Sequence, residues 1–409
     1  MTEQADKKYY ALDETTVVNY IQSHEKLSAH FDDDDTLTAD EVGDGNLNLV
    51  FKVYAEQTPS RTMVIKQSLP YVRLVGKSWP LSIERSRIEA QALEFHNRLC
   101  PEHTPDVYLF DPDMYLIAMR NLDDHIILRK GLIEGIRYPH LAEHVGSFMA
   151  KTLANTSDLV MAHDEKKEQV ARFINPELCK ITEDLVFTEP YRETERNAYH
   201  EELTPFVRSL QADEALRVEV AKMKEKFMTQ AQALIHGDLH TGSIMVNQTD
   251  TYVIDPEFAF FGPMGFDIGA IIGNLLLNHA AQEARISDEA QRKDFQQYLE
   301  KTIVDLWYTF VREFQNTWDT VDAVNMPPAY QEDYMLRLLQ DGAGFGGCKM
   351  MRRVIGLAGV EDLRGIEDTN AKTMACRRAL GMGRTMLMNR HSFHNIETLL
   401  QTVTDSQPI

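Results

Sequence analysis

The stretch from Leu234 to Glu257 constrains this fold more than any other part of the chain. It reads LIHGDLHTGSIMVNQTDTYVIDPE, which predicts a short strand running into residues 236–238, then a glycine-containing turn, and then a second strand leading to Asp255 and Glu257. A strand, loop and strand would bring Asp238 close to these two acids. Clustered carboxylates repel one another unless a cation lies between them. The stretch therefore predicts a site for a hard cation, and magnesium carrying nucleotide phosphates fits it.

Length and charge exclude several classes of protein. A chain of 409 residues is long for one hydrophobic core and predicts two lobes, and its 43% hydrophobic and 26% charged residues are typical of globular proteins. The net charge of -21 argues against nucleic acid and against an anionic membrane surface as partners. A phosphorylated ligand stays possible, because local lysines and bound metal act at short range.

Cysteine usage and hydrophobic runs point to a cytoplasmic setting. The four cysteines are scattered and include no Cys-x-x-Cys pair, so neither a zinc site nor a disulfide framework is predicted. The start, MTEQADKKYY, has no apolar secretory segment, and the most hydrophobic run, residues 268–277, is too short to span a bilayer. We expect a cytoplasmic protein with no membrane partner.

The order of elements predicts an α+β fold with a β-rich lobe before a helical one. Strand patterns lie between residues 37 and 120, interrupted by one main helix at 83–99. After residue 122 helical periodicity dominates, at residues 140–152, 213–227 and 288–314. We therefore expect an N-terminal nucleotide-binding lobe, residues 1–120, and a mainly helical C-terminal lobe, residues 121–409.

The HGDLH motif at residues 236–240 resembles the catalytic loop of protein-kinase-like phosphotransferases that act on small molecules. Together with HGDLHTGS and the later DPEFAFFGPMGFD, it is similar to the methylthioribose kinase family along most of the chain. The resemblance implies a bilobal protein-kinase-like fold. It also implies a homodimer that uses ATP and Mg²⁺ to phosphorylate the 1-hydroxyl of 5-methylthioribose in methionine salvage.

By this resemblance Asp238 contacts the substrate hydroxyl and acts as the catalytic base. Asp255 and Glu257 hold the metal and, with Pro256 between them, contact ATP. Ser243 stands where kinases usually have an asparagine metal ligand, and Asp-Pro-Glu replaces the usual Asp-Phe-Gly. The Asp-x-Glu form is the family's own, which favours the narrower assignment.

Two residues near this motif are interpreted as structural. His236 is expected to pack and to form hydrogen bonds, because Asp238 already provides a carboxylate base. Asp267 precedes an apolar helix and is a suitable N-cap by type and position. The resemblance implies that its carboxylate also braces the catalytic loop.

Residues 42–53 predict a hairpin with Gly43 and Gly45 at the bend. Such a turn is common without a ligand, although its glycines also let backbone N–H groups approach phosphates. The resemblance makes Asn48 a nucleotide contact.

Lys66 ends a β-rich run one hairpin later. It resembles the kinase lysine that reaches the α- and β-phosphates of ATP, although a strand lysine is often only a solvated edge charge. Glu89 on the predicted helix is expected to form an ion pair with it and to belong to the ATP site. Glu84 is the alternative partner.

Two further segments are assigned to the site by the resemblance alone. Arg120, Asn121 and Leu122 fall where a kinase hinge pairs its backbone with adenine, so they are expected to bind ATP. Trp79 belongs to the loop GKSWP, which resembles a family loop bordering the substrate. A turn with a buried tryptophan is the alternative.

Residues 341–353 combine a predicted flexible Gly-rich turn with an arginine pair. A Gly-rich turn before a helix can bind anions, while a helix with solvated arginines is the alternative. The resemblance assigns Arg353 to the substrate and Arg352 to a supporting role. Guanidinium groups there would stabilise the charge on a transferring phosphoryl group.

Three other functions compete with this interpretation. Two are phosphotransferases of the aminoglycoside type and of the choline or homoserine type. An arginine pair suits neither a polycation nor choline. The third is a nucleotide-binding regulatory protein without catalysis, suggested by Ser243, but Asp238 and Lys66 argue against it.

Overall fold

A computed structural model describes residues 9–42, 47–73, 76–321 and 326–409. The chain forms two compact units: one runs up to His125 and includes the segment Ile254–Phe258, and the other comprises Ile126–Val253 and Ala259–Ile409. The predicted α+β class, with a β-rich start and a mainly helical remainder, is confirmed. The division differs from the predicted boundary at residue 120 chiefly in Ile254–Phe258, because Asp255 and Glu257 bind side chains of the first unit.

The first unit is built on one antiparallel sheet. Its elements are α1 (Glu14–Ser23), α2 (Glu25–Ser28), β1 (Leu37–Glu41), β2 (Asn48–Ala55), β3 (Thr62–Ser68), α3 (Arg85–Leu99), β4 (Val107–Asp111) and β5 (Leu116–Arg120). The five strands lie in the order β1-β2-β3-β5-β4. The predicted glycine turn at Gly43 and Gly45 lies outside the described residues.

Both faces of this sheet are covered. On one face Phe51 and Val53 alternate along β2 and pack in a core that includes Ile21 of α1, as the two-residue period of a strand requires. On the other face Leu93 of α3 packs against Ile117 of β5. The sheet thereby fixes β3 beside α3, which sets the positions of Lys66 and Glu89.

The second unit is mainly helical. Its first elements are β6 (Ile126–Ile127), α4 (Leu128–Ile133), α5 (Leu141–Asn155), α6 (His163–Arg172), α7 (Pro176–Phe187), α8 (Thr204–Ala212) and α9 (Glu214–Thr229). Four short strands follow: β7 (Ala233–Ile235), β8 (Ile244–Val246), β9 (Thr251–Val253) and β10 (Phe260–Gly262). The remaining helices are α10 (Gly265–Arg285), α11 (Glu289–Asp319), α12 (Pro328–Ile355), α13 (Glu361–Arg364), α14 (Thr369–Met388) and α15 (Ile396–Thr404). No helix within the described ranges has the length and apolar character needed to cross a membrane.

The Gly-rich segment at residues 341–347 is helical, so the predicted flexible turn is wrong. It lies inside α12, where it packs against α10. A Cβ atom on Gly269 would lie 2.4 Å from the carbonyl oxygen of Gly342 and 2.5 Å from the nitrogen of Gly346. Glycine costs a helix about 1 kcal/mol relative to alanine. Glycine is needed here because the backbones of α10 and α12 pack too closely to leave room for a Cβ atom.

Candidate active site

The predicted catalytic loop lies between β7 and β8 and is held by Asp267. Its carboxylate accepts hydrogen bonds from the backbone N–H groups of His236, at 2.6 Å, and Gly237, at 3.1 Å. Gly237 has a φ of 82°, a conformation that favours glycine. The predicted bracing is therefore present. The predicted N-cap role is wrong, because α10 begins at Gly265 and Asp267 lies in its first turn.

Two more side chains fix the loop from within. The Nδ1 atom of His236 accepts the backbone N–H of Asp238 at 3.3 Å, which supports the structural interpretation of this histidine. The hydroxyl of Ser243 donates to the carbonyl oxygen of Asp238 at 3.0 Å. These bonds set the backbone on both sides of Asp238.

Cations face both oxygens of the Asp238 carboxylate. Lys349 Nζ lies 2.5 Å from Oδ1, while His240 Nε2 and Arg353 Nη2 lie 3.2 Å and 3.6 Å from Oδ2. Burial opposes ionisation of Asp238, but the charge of Lys349 and a hydrogen bond from His240 outweigh it and hold the pKa of Asp238 well below its ordinary value. Burial lowers the pKa of His240 to about 3, so this ring is neutral near pH 7. Asp238 is thus an ionised and weakly basic acceptor.

Lys349 is the residue in direct contact with Oδ1 of Asp238 that sequence analysis missed, and His240 and Arg129 were not singled out either. It lies four residues before Arg353 on α12, a spacing that puts both side chains on one helix face. Its ammonium is buried and lies 4.4 Å from the ring centroid of Phe266. The signal was the spacing of Lys349 and Arg353, which is visible only if residues 341–353 are interpreted as helix.

Three arginines complete the cationic surroundings in this unit. Arg352 and Arg353 donate to the carbonyl oxygen of Ala358 at 3.3 Å and 3.1 Å, and burial lowers the pKa of both. Arg129 of α4 donates to Asn274 at 3.2 Å and lies 3.3 Å from Asp362. Within the described part of the chain, Nε of Arg352 and Nε and Nη2 of Arg353 have no hydrogen-bond partner. Buried donors of this kind suit an anionic ligand.

A second cluster lies in the first unit, around Lys66. Its amine forms ion pairs with Asp255 and, at 2.7 Å, with Glu89. Glu89 is therefore the ion-pair partner, and the alternative, Glu84, instead pairs with Arg87 at 2.9 Å. Burial opposes the charge on Lys66, but Asp255 and Glu89 outweigh it and raise its pKa. The predicted contact of Lys66 with ATP stays a prediction.

Glu257 is held by two side chains of the same unit. Asn48 Nδ2 donates to Glu257 Oε2 at 2.9 Å, and Arg85 Nε lies 3.3 Å from that oxygen. The side-chain oxygen of Asn48 accepts from Arg85 at 2.9 Å and from Ser68 at 3.1 Å. Asn48 is thus occupied in positioning Glu257. Its contact with a nucleotide stays a prediction.

The residues of this cluster fit a divalent metal ion. Glu89, Asp255 and Glu257 offer carboxylate oxygens within 4.8 Å of one another, and hard cations prefer such ligands. Burial and the neighbouring acids raise the pKa of Glu89 and of Glu257, and a bound cation would stabilise the ionised form of both carboxylates. Asp255 has a φ of 66°, which is rare outside glycine and typical of functional sites. Metal binding by Asp255 and Glu257 stays a prediction, with Glu89 as a further candidate.

The other predicted site residues lie at the end of β5, in the segment before α3 and between the two acids. Arg120 ends β5 and is exposed, Leu122 is buried, and Asn121 donates to Asp123 at 2.7 Å. Trp79 is half-buried, and its backbone pairs with Val72 and Gly76. Pro256 is buried between the two acids. Their contacts with ATP or substrate stay predictions.

A further group was not singled out in the sequence. Cys100, Glu102 and His103 offer ligand atoms within 4.8 Å of one another, around a short 3₁₀ helix. Glu102 is exposed, and nothing else among the described residues points to a ligand there.

Comparisons with known proteins settle the family. Residues 42–309 match the phosphotransferase enzyme family. Methylthioribose kinase 2 of Oryza sativa subsp. japonica is 43% identical over 418 residues, covering 97% of this chain and 96% of the relative. This chain belongs to the methylthioribose kinase family.

Another member of the family, the methylthioribose kinase of Geobacillus kaustophilus, is 44% identical over 379 residues, covering 92% of this chain and 93% of the relative. A solved aminoglycoside phosphotransferase from Alicyclobacillus acidocaldarius is 13% identical, with a TM-score of 0.45 over 97% of this chain and 98% of that chain. Membership of the family confirms the predicted resemblance and the kinase-like fold class.

Proposed function

We propose that this protein is an ATP-dependent 5-methylthioribose kinase. It transfers the γ-phosphoryl group of ATP to the 1-hydroxyl of the sugar and forms 5-methylthioribose 1-phosphate, a step of methionine salvage. The observation that carries this proposal is 43% identity to a methylthioribose kinase over 97% of the chain. The two charged clusters supply the chemistry that such a reaction needs.

The cluster around Lys66 serves the nucleotide. Lys66, held by Glu89, orients the α- and β-phosphates. Asp255 and Glu257 would hold Mg²⁺, which would supply the positive charge that offsets charge on the phosphate oxygens during transfer. The remaining proposed ATP contacts are Asn48, Arg120, Asn121, Leu122 and Pro256.

The cluster around Asp238 serves the sugar. The carboxylate accepts a hydrogen bond from the 1-hydroxyl and aligns its oxygen for attack. The new O–P bond forms as the P–O bond to ADP breaks, and the hydroxyl proton passes to Asp238. Arg353, supported by Arg352, stabilises the charge on the transferring phosphoryl group, and Trp79 borders the sugar.

The charge around Asp238 also distinguishes the rival substrates. Lys349, Arg352 and Arg353 are buried near this carboxylate, and Arg129 adds a fourth cation. Like charges disfavour binding of an aminoglycoside polycation or of choline. A neutral sugar that becomes an anionic phosphate product suits this environment better.

The test is ADP release by purified protein with ATP and magnesium. Four reactions are compared: 5-methylthioribose, kanamycin, choline and no acceptor. Methylthioribose-dependent turnover is expected. Turnover only with another acceptor would overturn the substrate, and ATP binding without any turnover would favour a regulatory protein.

We also propose that the enzyme is a homodimer, as the family resemblance suggests, and that it is cytoplasmic, as its scattered cysteines suggest. Light scattering after size exclusion should give twice the monomer mass, and a monomer mass would contradict the dimer. Cell fractionation should recover the protein with the cytoplasmic fraction.

A further inference from the structure

A buried lysine contacts the residue proposed as catalytic base. Lys349 Nζ lies 2.5 Å from Asp238 Oδ1, and both side chains are largely removed from solvent, with exposures of 2% and 20%. The other carboxylate oxygen faces His240 and Arg353. Each oxygen of Asp238 therefore has its own partner, and the plane of the carboxylate is fixed.

The scaffold behind Lys349 is rigid. Its helix, α12, packs on α10 with so little space that a Cβ atom on Gly346 would lie 2.9 Å from the carbonyl oxygen of Gly269. The ammonium lies over the ring of Phe266, whose neighbour Asp267 holds the catalytic loop. The same two helices thus position the loop that carries Asp238 and the amine that contacts it.

We propose that Lys349 is a positioning residue for phosphoryl transfer, which fixes the Asp238 carboxylate in one orientation and keeps it ionised and weakly basic. The proposal rests on the function proposed above, because it concerns how Asp238 serves that reaction. Phosphoryl transfer passes through a loose transition state, so the attacking hydroxyl needs orientation more than a strong base. A cation beside the carboxylate also offsets the repulsion between Asp238 and the phosphoryl oxygens.

Titratable and charged groups from five segments surround this pair and the arginines beside it. Burial lowers the pKa of Lys349 to about 8, with Asp238 opposing the shift and Arg352 and Arg353 adding to it. The groups are His236, Asp238 and His240 of the catalytic loop, Asp267 of α10, Arg352 and Arg353 of α12, Arg129 of α4 and Asp362 of α13. The two histidines flank Asp238 in the loop. Asp238 is the group among them that contacts the Lys349 ammonium directly.

The same unit offers a matched control. Lys166 is also buried, lies 2.9 Å from Asp158, and has its ammonium 5.2 Å from the ring centroid of Phe261. A purely structural role for buried lysines predicts similar effects of Lys166→Met and Lys349→Met. Positioning of Asp238 predicts that only the second alters the pH dependence of catalysis.

The experiment measures kcat and KM for 5-methylthioribose between pH 5.5 and 9. Wild-type kcat/KM should show no acid limb in this range, because Asp238 is ionised throughout it. Lys349→Met should lower kcat by about 100-fold at pH 7.5, as expected for a misplaced catalytic group. It should also bring an acid limb into the measured range, since the buried carboxylate loses its main cation. Lys166→Met should keep the wild-type profile.

The outcomes separate this inference from the function it rests on. No sugar-dependent turnover in the wild type would overturn both. An active wild type whose own acid limb lies above pH 6, or a folded Lys349→Met enzyme without a new acid limb, would overturn the inference alone. If Lys349→Met does not fold, Lys349→Arg decides. The different shape of arginine should misplace Asp238 and lower kcat, while its permanent positive charge should leave the acid side of the pH profile flat. A new acid limb in Lys349→Arg would contradict the proposal.

Discussion

The two clusters have opposite charge patterns. In the first unit, two cations lie among three carboxylates: Lys66 and Arg85 against Glu89, Asp255 and Glu257. In the second unit, four cations lie around three carboxylates: Lys349, Arg352, Arg353 and Arg129 against Asp238, Asp267 and Asp362. One cluster has an excess of negative charge and the other an excess of positive charge.

The pKa shifts of the two lysines follow this difference. Carboxylates raise the pKa of Lys66 against the effect of burial, whereas burial and two arginines lower that of Lys349 to about 8. Each excess of charge favours a ligand of the opposite sign. A metal ion suits the first cluster, and a phosphoryl group suits the second.

The largest effect is expected from removing the one carboxylate proposed to touch the substrate. Asp238→Asn should lower kcat by about a thousandfold, because the hydroxyl loses its proton acceptor, while ATP affinity stays close to that of the wild type. Asp158→Asn, which alters the carboxylate paired with the other buried lysine, is the control and should keep full activity. Normal turnover of Asp238→Asn would remove this residue from the mechanism.

A smaller effect is expected from neutralising one acid of the first cluster. Glu257→Gln keeps the shape and the contact with Asn48 but loses a charge, so it should lower kcat and raise the magnesium concentration for half-maximal activity, each by about 10- to 100-fold. Titration of activity with magnesium measures both. Glu84→Gln is the control, since Glu84 pairs with Arg87 on the surface of α3. An unchanged magnesium requirement in Glu257→Gln would show that Glu257 is not a ligand.

Changing the shape of one cation in the second cluster should matter less. Arg353→Lys keeps the charge but loses the planar fork, so it should lower kcat/KM for the sugar by about tenfold and leave KM for ATP unchanged. Arg390→Lys, at another buried arginine that pairs with Glu219, is the control. Sugar kinetics equal to those of the wild type would place Arg353 away from the substrate.

The first cluster was predicted better than the second. The resemblance to kinases predicted the ion pair of Lys66 and Glu89, and it forms because the sheet holds β3 beside α3, the next helix in the chain. The support of Glu257 by Asn48 could not, since it joins residues 209 positions apart. Glycines at residues 341–347 locally favour a turn, but packing against α10 decides for helix. That error also hid Lys349.

The smallest expected effect is the pH dependence of stability, which Lys349 should produce and Lys66 should not. The pKa of Lys349 is about 8 in the folded protein and 10.5 in its ordinary state, so between these values the unfolded chain binds the extra proton. Stability therefore rises with pH in this window, by about 1.4 kcal/mol per pH unit relative to Lys349→Met. Lys66, whose pKa is raised, is protonated in both states up to about pH 10, and its contribution is constant there.

Thermal unfolding at pH 8, 9 and 10 measures this difference. The gap in Tm between the wild type and Lys349→Met should change in favour of the wild type as pH rises, while the gap to Lys66→Met should stay constant. Parallel curves for the wild type and Lys349→Met would mean that Lys349 keeps its proton. The carboxylates of the second cluster would then compensate its positive charge more fully than the burial of Lys349 implies. The difference in charge between the two clusters would be correspondingly smaller.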